Sequence, residues 1–295
     1  MNVPFLKYRK IYFILSGILI LGSFVCLGVF GLKPGIDFTG GSILEIKYEG
    51  ERPAVEAVRE TLDGLVGPLS IQPTDSNGLL IRMQEIDGET HQRVLEILKE
   101  SHQAEELRFE LIGPIIGREL REKTTIVVIL SLLAIVLYIA FSFRKIQRPI
   151  SSWQYGLASL LALFHDVLIP IGILAILGEY YGIQITIPVV VAFLMILGYS
   201  INNTVVVFDR IRENLLKRIG DTFVETVDRS LNQTLARCLN TSLTTLFVLI
   251  AIFFLGGESL KYFALVLILG IIAGTYSSLF LVSPVLVTWL ERRRK

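Results

Sequence analysis

A chain of 295 residues of which 52% are hydrophobic carries more apolar sequence than a soluble domain of this length needs for its core. Its 28 basic and 27 acidic side chains nearly cancel, leaving a net charge of +1 and none of the cationic excess that a nucleic-acid partner requires. The two cysteines, Cys26 and Cys238, both fall in apolar stretches, which excludes a disulfide framework.

The first long apolar stretch covers residues 11–31, and five more follow at 124–143, 155–177, 186–208, 235–255 and 262–290. A helix needs about 20 residues to cross about 30 Å of hydrocarbon, so a bundle of six transmembrane helices is expected. The first stretch lies behind Lys7, Arg9 and Lys10 as a signal peptide would. Its apolar core is too long for one and no small-residue cleavage pattern follows, so it reads as a retained span. Tyr8, Tyr12 and Trp289 suit the membrane interface.

Lys and Arg gather in residues 1–10, at 144–148, along the predicted connecting helix 209–234 and in the tail 291–295. The connections 178–185 and 256–261 hold Glu179, Glu258 and one cation, Lys261. Basic loops alternate with poor ones, which predicts cytoplasmic termini and an extracytoplasmic segment over 33–123.

Within that segment residues 42–50 alternate apolar and polar as a half-buried strand does. Residues 53–65 place Val55, Val58, Leu62 and Leu65 at helical spacing. Strands are expected at 69–72 and 79–84 around the turn residues Asp75, Ser76, Asn77 and Gly78, a second helix at 90–101, and a last strand at 106–112. The order β-α-β-β-α-β predicts a ferredoxin-like α+β domain. His91 and His102 read as isolated, solvated side chains. No nucleophile motif, phosphate loop or zinc spacing is present, so no enzyme, cofactor or metal site is expected and an interaction module is the better reading.

The chemistry concentrates in the spans. A polar group in hydrocarbon is costly unless it faces another helix or a wet cavity. Ser200, Asn203 and Thr204 share one face of the fourth span, with Asn202 beside them. Arg237, Asn240, Thr241, Thr244 and Thr245 form a stripe on the fifth, and Arg237 is expected to meet Asn203 across the helix pair. His165 and Asp166 sit near the middle of the third span, where a carboxylate facing lipid would cost about 3 kcal/mol or more. Thr275, Tyr276, Ser277 and Ser278 add polarity from the sixth. The plainer readings are that the hydroxyls bond their own backbone, Asn203 glues helices together, and Arg237 snorkels to headgroups. Gly270 and Gly274 suggest close helix packing, and Pro170, Pro188 and Pro284 mark kinks.

Gly35-Ile36-Asp37-Phe38-Thr39-Gly40-Gly41, Phe164-His165-Asp166, Gly198-Tyr199-Ser200-Ile201-Asn202, Val207-Phe208-Asp209-Arg210 and Leu235-Ala236-Arg237 together resemble the SecF branch of the SecD/SecF protein-export membrane proteins, over about residues 5 to 290. The resemblance implies an auxiliary subunit of the Sec translocase. It would pair with SecD, work with the SecYEG channel and the motor SecA on a translocating polypeptide, and draw on a proton or sodium gradient in the lipid bilayer. The membrane half is similar to resistance-nodulation-division transporters, so a half-transporter and a non-conducting scaffold are the rival readings. By the same resemblance Arg237 matches the functional membrane arginine. The partner carboxylate belongs where this chain has Asn203, because relatives read Gly-Tyr-Ser-Ile-Asn-Asp-Thr. An amide does not titrate at accessible pH. The chain then uses Asp166, takes a carboxylate from SecD, couples to another ion, or carries a replacement made to hold one state.

Overall fold

The computed structural model describes residues 3–67, 69–74, 77–101, 103–142, 150–256 and 258–294, arranged as two compact units. One comprises residues 32–127 and 177–187, and the other holds the remaining helices.

In the smaller unit, helix α2 (Ile36–Thr39) leads into β1 (Gly41–Tyr48), followed by α3 (Val55–Val66), β2 (Ser70–Thr74), β3 (Gly78–Met83), α4 (Gly88–Ser101) and β4 (Ala104–Ile112). All pairings are antiparallel and the strand order is β2-β3-β1-β4. Strand alternation turns Leu44, Ile46 and Tyr48 towards α3 and α4, where Val58 and Leu62 from one helix and Val94, Leu95 and Leu98 from the other close the core. Each such side chain contributes about 1.5–3 kcal/mol of burial. Ile36, Ile43 and Leu80 form a smaller cluster.

His91 is not the solvated side chain its sequence neighbours suggest. Its ring stacks on Phe109 with centroids 3.9 Å apart, and its Nε2 lies 3.3 Å from a Glu106 carboxylate oxygen, within ion-pair reach though not aligned as a hydrogen bond. The hairpin-like return of β4 beside α4 brings in partners that local sequence does not display. His102, Asp75 and Ser76 lie outside the described residues. Asp87 caps α4 by accepting the Thr90 N–H at 2.8 Å, and that bond holds its carboxyl below the usual carboxylate range.

The connection 177–187 belongs to this unit through backbone bonds. Ile185 N donates to Lys33 O at 2.8 Å and Gly35 N donates to Ile185 O at 2.8 Å, a parallel bridge. The Asp37 carboxylate accepts the Ile187 N–H at 2.8 Å, so it satisfies the first donor of the following helix. The Lys33–Glu179 pair at 3.0 Å is nearly half exposed and adds 1 kcal/mol at most, roughly.

The larger unit contains α1 (Arg9–Phe30), most of α5 (Pro114–Ser142) and α6 (Ser152–Tyr181), then α7 (Ile187–Leu216), α8 (Phe223–Leu255), α9 (Glu258–Phe280) and α10 (Val282–Arg294). Five segments among the described residues are long and apolar enough to cross a membrane: Phe5–Phe30, Trp153–Tyr181, Ile187–Leu216, Phe223–Leu255 and Leu260–Arg292. α1, α5 and α8 leave Ile14, Leu21, Val29, Ile129, Leu137 and Phe247 exposed, as lipid-facing surfaces do. Residues 3–8 are strapped to the start of α8. The Asn232 amide both accepts from Val3 N (2.8 Å) and donates to Val3 O (2.9 Å), and Phe5 and Leu6 enter the bundle core. Arg9 binds Glu291 through two bonds of 3.0 and 2.8 Å.

Several boundaries depart from expectation. α5 starts at Pro114, ten residues ahead of the predicted span, because Arg118 to Lys123 are good helix formers despite their charge. No separate helix covers 209–234. α7 runs on to Leu216, positive φ at Arg218 and Gly220 reverses the chain, and α8 starts at Phe223 behind a Thr222 cap that accepts the Glu225 N–H. Pro188 is the second residue of α7, where its missing N–H breaks no bond, and so makes no kink. The last predicted span is two helices parted at Leu281, since Pro284 has no N–H for Phe280 O. The basic cluster 144–148 is outside the described residues.

Gly40 (φ +77°) and Gly41 (φ +139°) join α2 to β1 where side chains have neither the backbone freedom nor the space. A Cβ at Gly40 would lie 2.8 Å from Pro114 Cα, and one at Gly41 2.7 Å from Met83 O. Gly40→Ala and Gly41→Ala should each cost at least about 2 kcal/mol. Gly64→Ala, in the open face of α3, should be neutral or stabilising by about 0.5–1 kcal/mol. Thermal unfolding of the whole chain in detergent, with limited proteolysis of residues 41–112, ranks the three. The Asp87 cap predicts a pH effect of definite sign. A lowered folded value stabilises fully above about pH 4 and is lost as pH falls through it, so acid unfolding of Asp87→Ala should begin from a less stable state at neutral pH and converge with the parent at low pH.

Candidate functional site

Three helices place polar groups around one buried carboxylate. α6 contributes His165 and Asp166, both with no exposed surface, because they share its inward face with Ala158, Ala162 and Ile169 while Phe164 points outward. α7 brings Ser200, and α9 brings Ser277. α7 and α9 can approach because α9 has glycine where they cross. A side chain at Gly270 would collide with Ile196, and one at Gly274 would meet Ser200 Cβ at 3.1 Å.

The Asp166 carboxylate has three partners. Oδ1 lies 2.8 Å from His165 Nδ1, while Oδ2 accepts from Ser277 Oγ at 2.7 Å and from Ser200 Oγ through a short bond. Donors of this kind stabilise a buried charge by about 1.5–3 kcal/mol each, offsetting the loss of water. The other imidazole nitrogen, His165 Nε2, is buried and has no hydrogen-bond partner among the described residues. Tyr276 stacks on the imidazole with ring centroids 5.8 Å apart.

Next to this cluster Asn203 Nδ2 donates to Ser242 Oγ at 3.2 Å, Ser242 Oγ is hydrogen-bonded to Thr275 Oγ1 at 2.6 Å, and Thr204 Oγ1 to Ser278 Oγ at 2.9 Å. These two sets of bonds together bring polar groups from α6, α7, α8 and α9 into one buried interior.

Arg237 does not join it. Its guanidinium is exposed, without a hydrogen bond or ion pair among the described residues, beside a pocket of about 280 Å³ lined by Asp209, Arg210, Arg212, Glu213, Gln233 and Thr234. The expected meeting with Asn203 fails for a geometric reason. Ser242 follows Arg237 by five residues, which at about 100° per residue puts the two about 140° apart around α8. Thr234, Cys238 and Ser242, spaced by four, are the buried face. Asn202 and Asn240 are exposed and make no side-chain hydrogen bond among the described residues. Thr241, Thr244 and Thr245 donate to carbonyls one turn back on α8, the plainer of their two readings, and Tyr199 OH joins Thr241 O at 2.8 Å. Ser242 and Ser277 were not singled out as site residues. Their signal was the small-residue spacing 234/238/242 and the glycine pair that brings 274 and 277 against α7.

A bundle of long apolar helices around an ionisable, hydroxyl-lined interior is a multi-pass membrane protein. Which one follows from comparison. The family description "Protein export membrane protein SecD/SecF, C-terminal" matches residues 93–292 and "SecD/SecF GG Motif" matches 27–51, so the chain belongs to the SecD/SecF family of protein-export membrane proteins. It is 39% identical to protein translocase subunit SecF of Thermobaculum terrenum, covering 97% of this chain and 94% of that one. It is 36% identical to SecF of Desulfurispirillum indicum, over 98% and 92%. It is also 39% identical to SecDF of Thermus thermophilus over 90% of this chain and 35% of that longer one. The crystal structure of SecDF, described as a translocon-associated membrane protein from Thermus, superimposes with a TM-score of 0.88 at 34% identity, covering 99% of this chain. SecDF in a super-membrane-facing form gives 0.70 at 35% identity. The chain spans 39% of each of those two structures.

Loss of one donor to a buried carboxylate should be costly. Ser200→Ala is expected to destabilise the bundle by about 1.5–3 kcal/mol, whereas Thr244→Ala, on the exposed side of α8, should stay within about 0.5 kcal/mol. Denaturant unfolding in mixed micelles measures both, and equal effects would contradict the assignment.

Proposed function

We propose that this protein is an auxiliary, non-enzymatic subunit of the Sec translocase that acts with SecD to advance polypeptides across the cytoplasmic membrane at the expense of an ion gradient. The observation that carries the reading is an ionisable pair, His165 and Asp166, held without exposure inside the bundle of a chain similar over nearly its whole length to SecF subunits. A buried carboxylate is a costly way to pack helices, and apolar residues would do so better.

The topology proposed is six spans. Residues 124–142 of α5 carry no charge and cover about 28 Å at 1.5 Å per residue. The α7–α8 turn, with Lys217 and Arg218, faces the cytoplasm together with both termini. The smaller unit is then extracytoplasmic, and its strand order β2-β3-β1-β4 with both main helices on one face supports the ferredoxin-like reading. SecD is the proposed partner because a single-chain SecDF relative carries a segment similar to this chain over about a third of its length. Arg237, exposed beside Arg210 and Arg212, would receive a carboxylate from that partner, taking the place of the aspartate that Asn203 lacks. SecYEG, SecA and the translocating polypeptide complete the assembly. The candidate ion or proton path comprises Asp166, His165, Ser200, Asn203 and Thr204 inside, with Arg237, Asn202, Asn240 and Thr241 on the partner-facing side.

A non-conducting scaffold is the second reading. It is favoured by the Asn203–Ser242–Thr275 chain, which looks like helix glue. Proton and sodium flux, together with export of a model preprotein, in vesicles holding this chain, SecD, SecYEG and SecA separates the two. Asp166→Asn and Arg237→Met should each lower gradient-dependent export at least tenfold, with Thr244→Ala unchanged. Parental flux and export in both variants would leave only the scaffold.

A further inference from the structure

Two features of the Asp166 cluster are unused by packing. The Ser277 hydroxyl has one proton and two acceptors, Asp166 Oδ2 at 2.7 Å and Gly274 O at 3.2 Å. The imidazole of His165 has a buried nitrogen, Nε2, with no hydrogen-bond partner among the described residues, on the side opposite the one that faces the carboxylate.

We infer that His165 and Asp166 form a one-proton store whose port is His165 Nε2 and whose occupancy is read by the orientation of the Ser277 hydroxyl. The inference rests on the ion-coupled reading above and names its proton-holding atoms. In the empty state Asp166 is ionised and accepts three hydrogens, from His165 Nδ1, Ser200 and Ser277. Uptake adds a proton to Nε2, breaks the Nδ1–H bond and forms Oδ1–H, leaving imidazole and carboxyl both neutral. The cluster changes by one unit of charge without a heavy atom leaving hydrogen-bond distance. Once Oδ2 is no longer charged, its hold on Ser277 weakens from a charge-assisted to a neutral bond, and that hydroxyl turns to Gly274 O. Gly274 O also accepts from Ser278 at 2.7 Å, and Ser278 is joined to Thr204 on α7, so the turn reaches the second polar network.

The groups facing the pair are few. From α6 there is His165 itself, from α7 Ser200, and from α9 Gly274, Tyr276 and Ser277. The Tyr276 hydroxyl is held by α1, donating to Tyr12 O at 3.0 Å and accepting from Ser16 at 3.3 Å. No lysine, arginine or second carboxylate among the described residues bonds to the cluster, so its charge is set by this one proton.

The test is pH-difference infrared spectroscopy on the full chain with SecD in lipid nanodiscs, with aspartate carboxyl carbons isotopically labelled. An aspartic acid carbonyl band should rise as pH falls and be absent in Asp166→Asn. Ser277→Ala should displace its midpoint by about one pH unit, the difference between charge-assisted and neutral hydrogen bonds, and Ser277→Thr should restore it. After a pH jump, His165→Phe, which keeps the ring against Tyr276, should slow the band at least tenfold. If no band is lost in Asp166→Asn, the store is refuted. A midpoint unmoved in Ser277→Ala refutes the switch, and an unslowed band in His165→Phe refutes the port. The spectrum reads protonation alone, so failed export with these signals intact would overturn the coupling to export and leave the store standing.

Discussion

A carboxylate removed from water inside an apolar bundle is tolerable only if donors reach it from more than one side, and Asp166 obtains them from α6, α7 and α9 at once. That requirement fixes the approach of α7 and α9, which needs glycine at 270 and 274, and it puts serine at 200 and 277, the smallest side chains that carry an O–H. The neighbouring network, Asn203 with Ser242 and Thr204 with Ser278, extends the same pattern, so the interior is held together by hydroxyls between helices whose outer faces are bare hydrocarbon. Asparagine at 203 fits this arrangement as a neutral donor, and the ionisable chemistry of the interior falls to the His165–Asp166 pair.

The smaller unit obeys a different constraint. Its chain must turn from α2 into β1 beside Pro114 and Met83 without room for a side chain, which calls for two successive glycines. Asp37, a few residues earlier, bonds the backbone of Ile187, while Lys33 and Gly35 pair with Ile185. Residues matched by the GG motif thus tie the connection 177–187 to the segment that leads into β1, Lys33 and Gly35 through backbone bonds that resist sequence change and Asp37 through its side chain.

Periodicity made much of this legible. Leu44, Ile46 and Tyr48 alternate, Val58 and Leu62 recur at helical spacing, and the four strands and two helices stand within a few residues of where the pattern put them. Asp166 could be found by depth alone, since a carboxylate in mid-span has few excuses. What one sequence did not disclose was rotation and partnership. Arg237 and Ser242 share a helix, and only tertiary packing decides which of their faces meets α7. His91 reads as solvated from its neighbours in sequence because Glu106 and Phe109 reach it only through the fold. The α7–α8 hairpin reads as a separate helix because polar sequence after Phe208 resembles a membrane exit, whereas intrinsic propensity and the buried Asn214–Ser230 bond carry both helices beyond it.

The account stands or falls on whether Asp166 is bonded across helices as a single unit. A double-mutant cycle between Ser200→Ala and Asp166→Asn, read by denaturant unfolding of the whole chain, measures this most directly. The account predicts a coupling of about 1 kcal/mol or more between the two positions. Effects that simply add, within about 0.5 kcal/mol, would mean that the hydroxyl and the carboxylate do not act on one another, and the proposed organisation of the interior would be wrong.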